Sequence, residues 1–84
     1  MGEVAISLKI TPEDPKKDLQ EILGEIEKEF TVEDSETESI GFGLSALKVL
    51  IVRGEDEGGT DDIENFIENI DGVTSVRVEN VSLL

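Results

Sequence analysis

Catalytic chemistry has little to work with in this chain. Serines at positions 7, 35, 39, 45, 75 and 82 have no histidine to activate them, because the sequence contains neither histidine nor cysteine. Disulfides, zinc-finger sites and histidine-based catalysis are excluded on the same ground. Carboxylate pairs abound, but with 21 acidic residues chance proximity is nearly certain, so no general acid–base pair stands out. Gly54-Glu55-Asp56-Glu57-Gly58-Gly59 is glycine-rich, yet it lacks the Lys-Ser/Thr ending of a phosphate-binding loop and is full of acid. It reads as a connection. The run Glu33, Asp34, Glu36, Glu38 is either a charged sheet edge or an acid or metal cluster, and its scatter along an expected edge favours the first. These absences point to a binding or regulatory module, with no cofactor, rather than an enzyme.

Binding has one candidate. Phe30, Phe42 and Phe66 are the only aromatics, and two of them have helical homes. Phe30 extends the stripe Leu19, Ile22, Leu23, Ile26; Phe66 belongs to Ile63, Ile67 and Ile70. Phe42 has no stripe and lies between Gly41 and Gly43. Glycine on each side lets the backbone turn and clears space around the ring. The ring is then either an anchor for another protein's pocket or the inward-packed end of a strand.

The elements that must position Phe42 follow from periodicity. Val4, Ile6, Leu8 and Ile10 alternate with polar residues, which predicts a half-buried strand. After Thr11-Pro12-Glu13-Asp14-Pro15, a helix capped by Asp14 and opening at Pro15 is predicted to reach about Glu29. Gly24 inside it costs about 1 kcal/mol relative to alanine unless close packing requires it. The latter part of 31–39 reads as an acidic edge strand, and Ala46–Arg53 is the most apolar strand. The short connection between them predicts an antiparallel hairpin with Phe42 at its tip. Thr60 is placed to cap a second helix with the stripe Ile63, Phe66, Ile67, Ile70, and Gly72 to stop it. Val73–Glu79 is the last strand. The apolar parity then shifts to Val81 and Leu83, which predicts a bulge or a tail leaving the sheet.

The order βαββαβ defines an α+β fold, a ferredoxin-like split βαβ sandwich in which two helices cover one face of a four-stranded antiparallel sheet. All 84 residues are expected to form one domain. Lys9, Lys48 and Arg77, with Leu50 and Val52, are predicted on the open face, as a docking surface of mixed character or simply a solvated one. The net charge of −14 repels nucleic-acid phosphates and favours encounter with a basic protein, although such acidity also serves solubility in a salty cell. No apolar run is long enough to cross a bilayer, and Met1-Gly2-Glu3-Val4 lacks signal-peptide character. A cytoplasmic protein without nucleic-acid or membrane partners, monomeric when free, is expected.

The segment Ile40-Gly41-Phe42-Gly43-Leu44-Ser45-Ala46-Leu47-Lys48-Val49 resembles the archaeal beta subunits of translation elongation factor 1. The start Met1-Gly2-Glu3-Val4, Glu57-Gly58-Gly59-Thr60 and Gly72-Val73-Thr74-Ser75-Val76 add support by their order and spacing. The resemblance implies a guanine-nucleotide exchange factor that binds the alpha-subunit GTPase and loosens GDP and its magnesium. It implies partner contact through Gly41, Phe42, Gly43, Leu44 and Lys48, with the Phe42 ring entering a pocket of the GTPase domain. Eukaryotic members also use a lysine near the C-terminus, whereas no lysine or arginine follows Arg77 here. The alternative is a ferredoxin-like regulatory domain that binds a small molecule. An acylphosphatase-like enzyme is excluded, because the loop after Ile10 has no arginine to grip phosphate.

Overall fold

Alternating apolar and polar residues become four strands in the computed structural model, which describes residues 2–57 and 59–84. Met1, in the N-terminal resemblance, and Gly58, in the acidic loop, lie outside the described residues. The elements are β1 (Glu3–Pro12), α1 (Leu19–Glu27), β2 (Thr31–Gly41), β3 (Leu44–Gly54), a 3-10 turn at Glu55–Glu57, α2 (Asp61–Glu68) and β4 (Val73–Leu83). The sheet order is β2-β3-β1-β4, with every neighbouring pair antiparallel. Ile6, Leu8 and Ile10 of β1 and Leu47, Val49 and Ile51 of β3 share one core with Ile22 and Ile26 of α1 and Ile63 and Ile67 of α2. Both helices therefore cover one face, as the βαββαβ order requires.

Strand parity is corrected by bulges. Leu8 pairs with Val78 but Ser7 pairs with Asn80, so Glu79 is an extra residue in β4. The bulge keeps Val76, Val78, Val81 and Leu83 opposite Ile10, Leu8, Ile6 and Val4. The parity shift is thus a bulge, and the chain stays in the sheet to Leu83. Edge strand β2 spans all of Thr31–Gly41, and it has extra residues at Glu33 and Ile40. Charge and bulges together blunt that edge against foreign strands.

The first helix starts later than predicted. Asp14 closes a turn, accepting from Lys16 N at 2.8 Å, while Asp18 is the N-cap and accepts from Gln20 N at 2.9 Å. Residues 13–17 have no apolar stripe to bury, so helix formation waits for Leu19. The helix ends at Glu27 rather than about Glu29, because Glu29 N and Phe30 N both return to the Ile26 carbonyl. Thr60 occupies the N-cap position of α2 but makes no side-chain capping bond. Arg53 packs beside that end without capping it, since a guanidinium only donates. Its Nη1 donates to both carboxylate oxygens of Asp62 at 3.0 Å and its Nη2 to the Glu57 carbonyl at 2.8 Å. Its guanidinium lies 5.6 Å from the centroid of Phe30, which meets Phe66 edge-on at 5.5 Å. Both rings are half-buried against the core. Gly72 does not stop α2 as expected, because the helix ends at Glu68 with Asn69 as its C-cap; at φ +93 it makes the turn into β4 instead.

Candidate functional site

The β2–β3 hairpin is closed by Phe42 and Gly43, with φ of 55° and 75°. Two consecutive left-handed residues are the geometry that matches the twist of paired strands. Gly41 precedes them at φ 95°, just after the bulge residue Ile40, so three successive residues adopt positive φ. For the glycines this is free. For Phe42 it crowds Cβ against the backbone, a cost of about 1–2 kcal/mol.

No burial offsets that strain, since Phe42 is 99% exposed. Inward packing of the ring, the alternative left open by the sequence, does not occur. Pairing of β3 with β1 stops at Leu47, so Leu44–Ala46 and their β2 partners carry the tip beyond it by about 10 Å, at ~3.3 Å per residue. Gly41, Phe42, Gly43 and half-buried Leu44 therefore come together at one end of a molecule 42 Å long. At the opposite end, Leu83 pairs with Val4, which pairs with Arg53. Val81, Leu83 and Leu84 are exposed there, far from the ring.

Lys48 is separate from the tip, about 13 Å along β3 from Leu44 at ~3.3 Å per residue. On the open face, Arg77, Lys9 and Lys48 form a row across β4, β1 and β3, each opposite the next. Lys48 is already engaged within the molecule. Its Nζ lies 3.4 Å from Glu38 and 3.5 Å from Glu79, and Lys9 Nζ is 3.3 Å from Glu38. The Glu79 charge, followed by that of Glu38, holds the Lys48 ammonium above its usual range. The hydrogen bond from Lys9, then the charge of Lys48, holds the Glu38 carboxyl below its usual range.

Sequence reasoning placed the three cations on this face correctly but missed Glu38 and Glu79 as their partners. Simple alternation hides both, because Glu79 is itself the bulge and Glu38 lies between the two bulges of β2. Among the described residues no group of three or more acidic, histidine or cysteine side chains is arranged to hold a metal ion. Among them, too, no helix is long and apolar enough to cross a membrane. An exposed aromatic on a projecting turn can do physical work on a partner: it can fill a pocket and displace what occupied it.

Residues 5–84 match the family described as the EF-1 guanine nucleotide exchange domain. The elongation factor 1-beta of Methanocorpusculum labreanum is 40% identical over 85 residues, an alignment covering 100% of this chain and 99% of that protein. That of Aeropyrum pernix is 41% identical over 87 residues, covering 98% and 97%. Among solved structures, the ACT domain from GTP pyrophosphokinase of Chlorobium tepidum superposes with a TM-score of 0.71 over 93% of this chain and 88% of that one. At 16% identity that likeness concerns the fold alone.

Proposed function

The chain belongs to the EF-1 guanine nucleotide exchange domain family, and from that premise we propose that it accelerates GDP release from the alpha-subunit GTPase of elongation factor 1 in the cytoplasm. The observation that carries this reading is Phe42, strained at φ 55° and 99% exposed on a projecting turn. Nothing inside the molecule gains from the ring; a pocket on the GTPase would.

Exchange requires no covalent step. The factor binds the nucleotide-free GTPase more tightly than the GDP form, and this difference in affinity drives release. An apolar ring inserted beside a switch element supplies such a difference, because it fits only when that element has moved. Gly41 and Gly43 let the turn hold its shape, and Leu44 extends the apolar contact behind the ring. The net charge of −14 speeds encounter with a basic surface. Lys48, on the open face about 13 Å from Leu44 at ~3.3 Å per residue, is a second contact candidate that must exchange its pairs with Glu38 and Glu79 for a partner's carboxylate.

The test is release of fluorescent GDP from the organism's own elongation GTPase, with and without this protein. Acceleration that saturates with protein concentration is expected. No acceleration at saturating protein overturns the reading.

A further inference from the structure

The arm that carries Phe42 leaves the body of the sheet where β1 parts from β3. Ile10 is the last β1 residue opposite β3, and Thr11 and Pro12 pair only with β4. Beyond Leu47 the hairpin is therefore a two-stranded ribbon, residues 38–41 against 44–46, with a bulge at Ile40. Such a ribbon is marginal by itself and twists more strongly than a wider sheet. Its direction needs fixing if the ring is to be presented in one place.

Glu38 stands at the root of that ribbon. It lies opposite Ala46, the first β3 residue past the last pairing with β1. Its carboxylate reaches back over the open face to Lys9 Nζ of β1 at 3.3 Å and to Lys48 Nζ of β3 at 3.4 Å. Lys9 and Lys48 are directly opposite each other, a placement of like charges that is unfavourable without a carboxylate between them. Among the described residues, no other side chain of 38–46 makes a hydrogen bond or ion pair with the rest of the chain. Glu36 supplies the contrast. It is directly opposite Lys48, yet it has no ion pair among the described residues.

We infer that Glu38 is a positioning residue for exchange: it straps the ribbon to β1 and so aims Phe42 before the GTPase is met. The effect on release rests on the exchange reading, whereas the strap itself is measurable without the GTPase. When Lys48 turns to a partner's carboxylate, the bond from Lys9 keeps the strap closed. Preorganisation removes an ordering cost from binding, so its loss raises the factor concentration that half-saturates release. The maximal rate is unchanged, because the occupied pocket then holds the ring in place.

Stopped-flow release of fluorescent GDP is measured against factor concentration for the parent, Glu38→Gln, Glu36→Gln, Phe42→Ala and the Glu38→Gln/Phe42→Ala double variant. Glu38→Gln should raise the half-saturating concentration about 5-fold at the same maximal rate, the scale of two half-exposed ion pairs. Glu36→Gln removes the same charge without the strap and should change it less than ~2-fold. In the Phe42→Ala background Glu38→Gln should add nothing, since no ring remains to be aimed. Backbone amide relaxation of the free protein reads the strap directly. Order parameters at 40–45 should fall toward ~0.6 in Glu38→Gln and hold in Glu36→Gln. Lys9→Met cuts the strap from its other end and should match Glu38→Gln, so the test survives if one variant fails to fold. Unchanged half-saturation in Glu38→Gln, an equal rise in Glu36→Gln, additive losses in the double variant, or unaltered order parameters each overturn the inference. Lost order at 40–45 with release indifferent to Phe42→Ala leaves the strap standing and overturns the exchange reading instead.

Discussion

Phe42 separates stability from function more cleanly than any other residue in the chain. Its side chain is 99% exposed, so Phe42→Ala removes no buried area and should change unfolding free energy by no more than ~0.5 kcal/mol. The backbone strain at φ 55° persists in the alanine variant, because Cβ remains. Phe42→Gly removes it, recovering about 1–2 kcal/mol. The greater freedom of glycine in the unfolded chain takes back about 0.5–1 kcal/mol. The glycine variant should therefore equal or exceed the parent in stability by up to ~1.5 kcal/mol. Docking behaves oppositely. A phenylalanine ring buries at least ~150 Å², or about 4 kcal/mol at ~25 cal/mol per Å². Losing only half of this weakens a complex by about 30-fold. Urea unfolding followed by circular dichroism gives the first quantity, and stopped-flow release of fluorescent GDP at limiting factor gives the second. Both variants should exchange at least ~30-fold more slowly, and Phe42→Trp should stay active. A stability loss above ~1 kcal/mol in the alanine variant would show that the ring is buried in solution. Unchanged GDP release would remove Phe42 from the mechanism.

Three further outcomes test how the scaffold is built. Arg53→Met keeps the stem but loses the bonds to Asp62 and the Glu57 carbonyl and the contact over Phe30; it should cost about 2 kcal/mol, or a fall in melting temperature of roughly 10 °C. Asp18→Ala should cost about 1 kcal/mol in chemical unfolding, and Asp14→Ala less than half of that, because Asp18 caps α1 and Asp14 only closes a turn. Glu38 has a folded-state pKa below its ordinary value of 4.5, so its contribution is present above about that pH and is lost as pH falls through the folded-state value. Urea midpoints measured down to acid pH should therefore drop more steeply for the parent than for Glu38→Gln. Parallel acid limbs would show that the network with Lys9 and Lys48 is absent in solution.

Much of the scaffold was legible because it is written in local periodicity. The alternation of Val4, Ile6, Leu8 and Ile10 and the stripes through Ile22 and Ile63 report burial directly, since one face of each element must leave water. Element ends were less legible. Asp14 before Pro15 is as good a helix start on paper as Asp18, and only the position of the first buried turn decides between them. Likewise Thr60 has the right identity for a cap, yet the contacts at that end are made by Arg53, reaching across from β3.

The sequence by itself determined that Phe42 belongs to no helical apolar stripe, and that flanking glycines permit a turn. Both facts are local, so they need no fold. Exposure, strain and projection were decided by tertiary structure. They depend on where β1 stops pairing with β3 and on which residues of β2 become bulges, and these are outcomes of long-range register. The same holds for Lys48. Its charge is visible in the sequence, but whether it meets a partner or is held by Glu38 and Glu79 depends on three other strands arriving beside it.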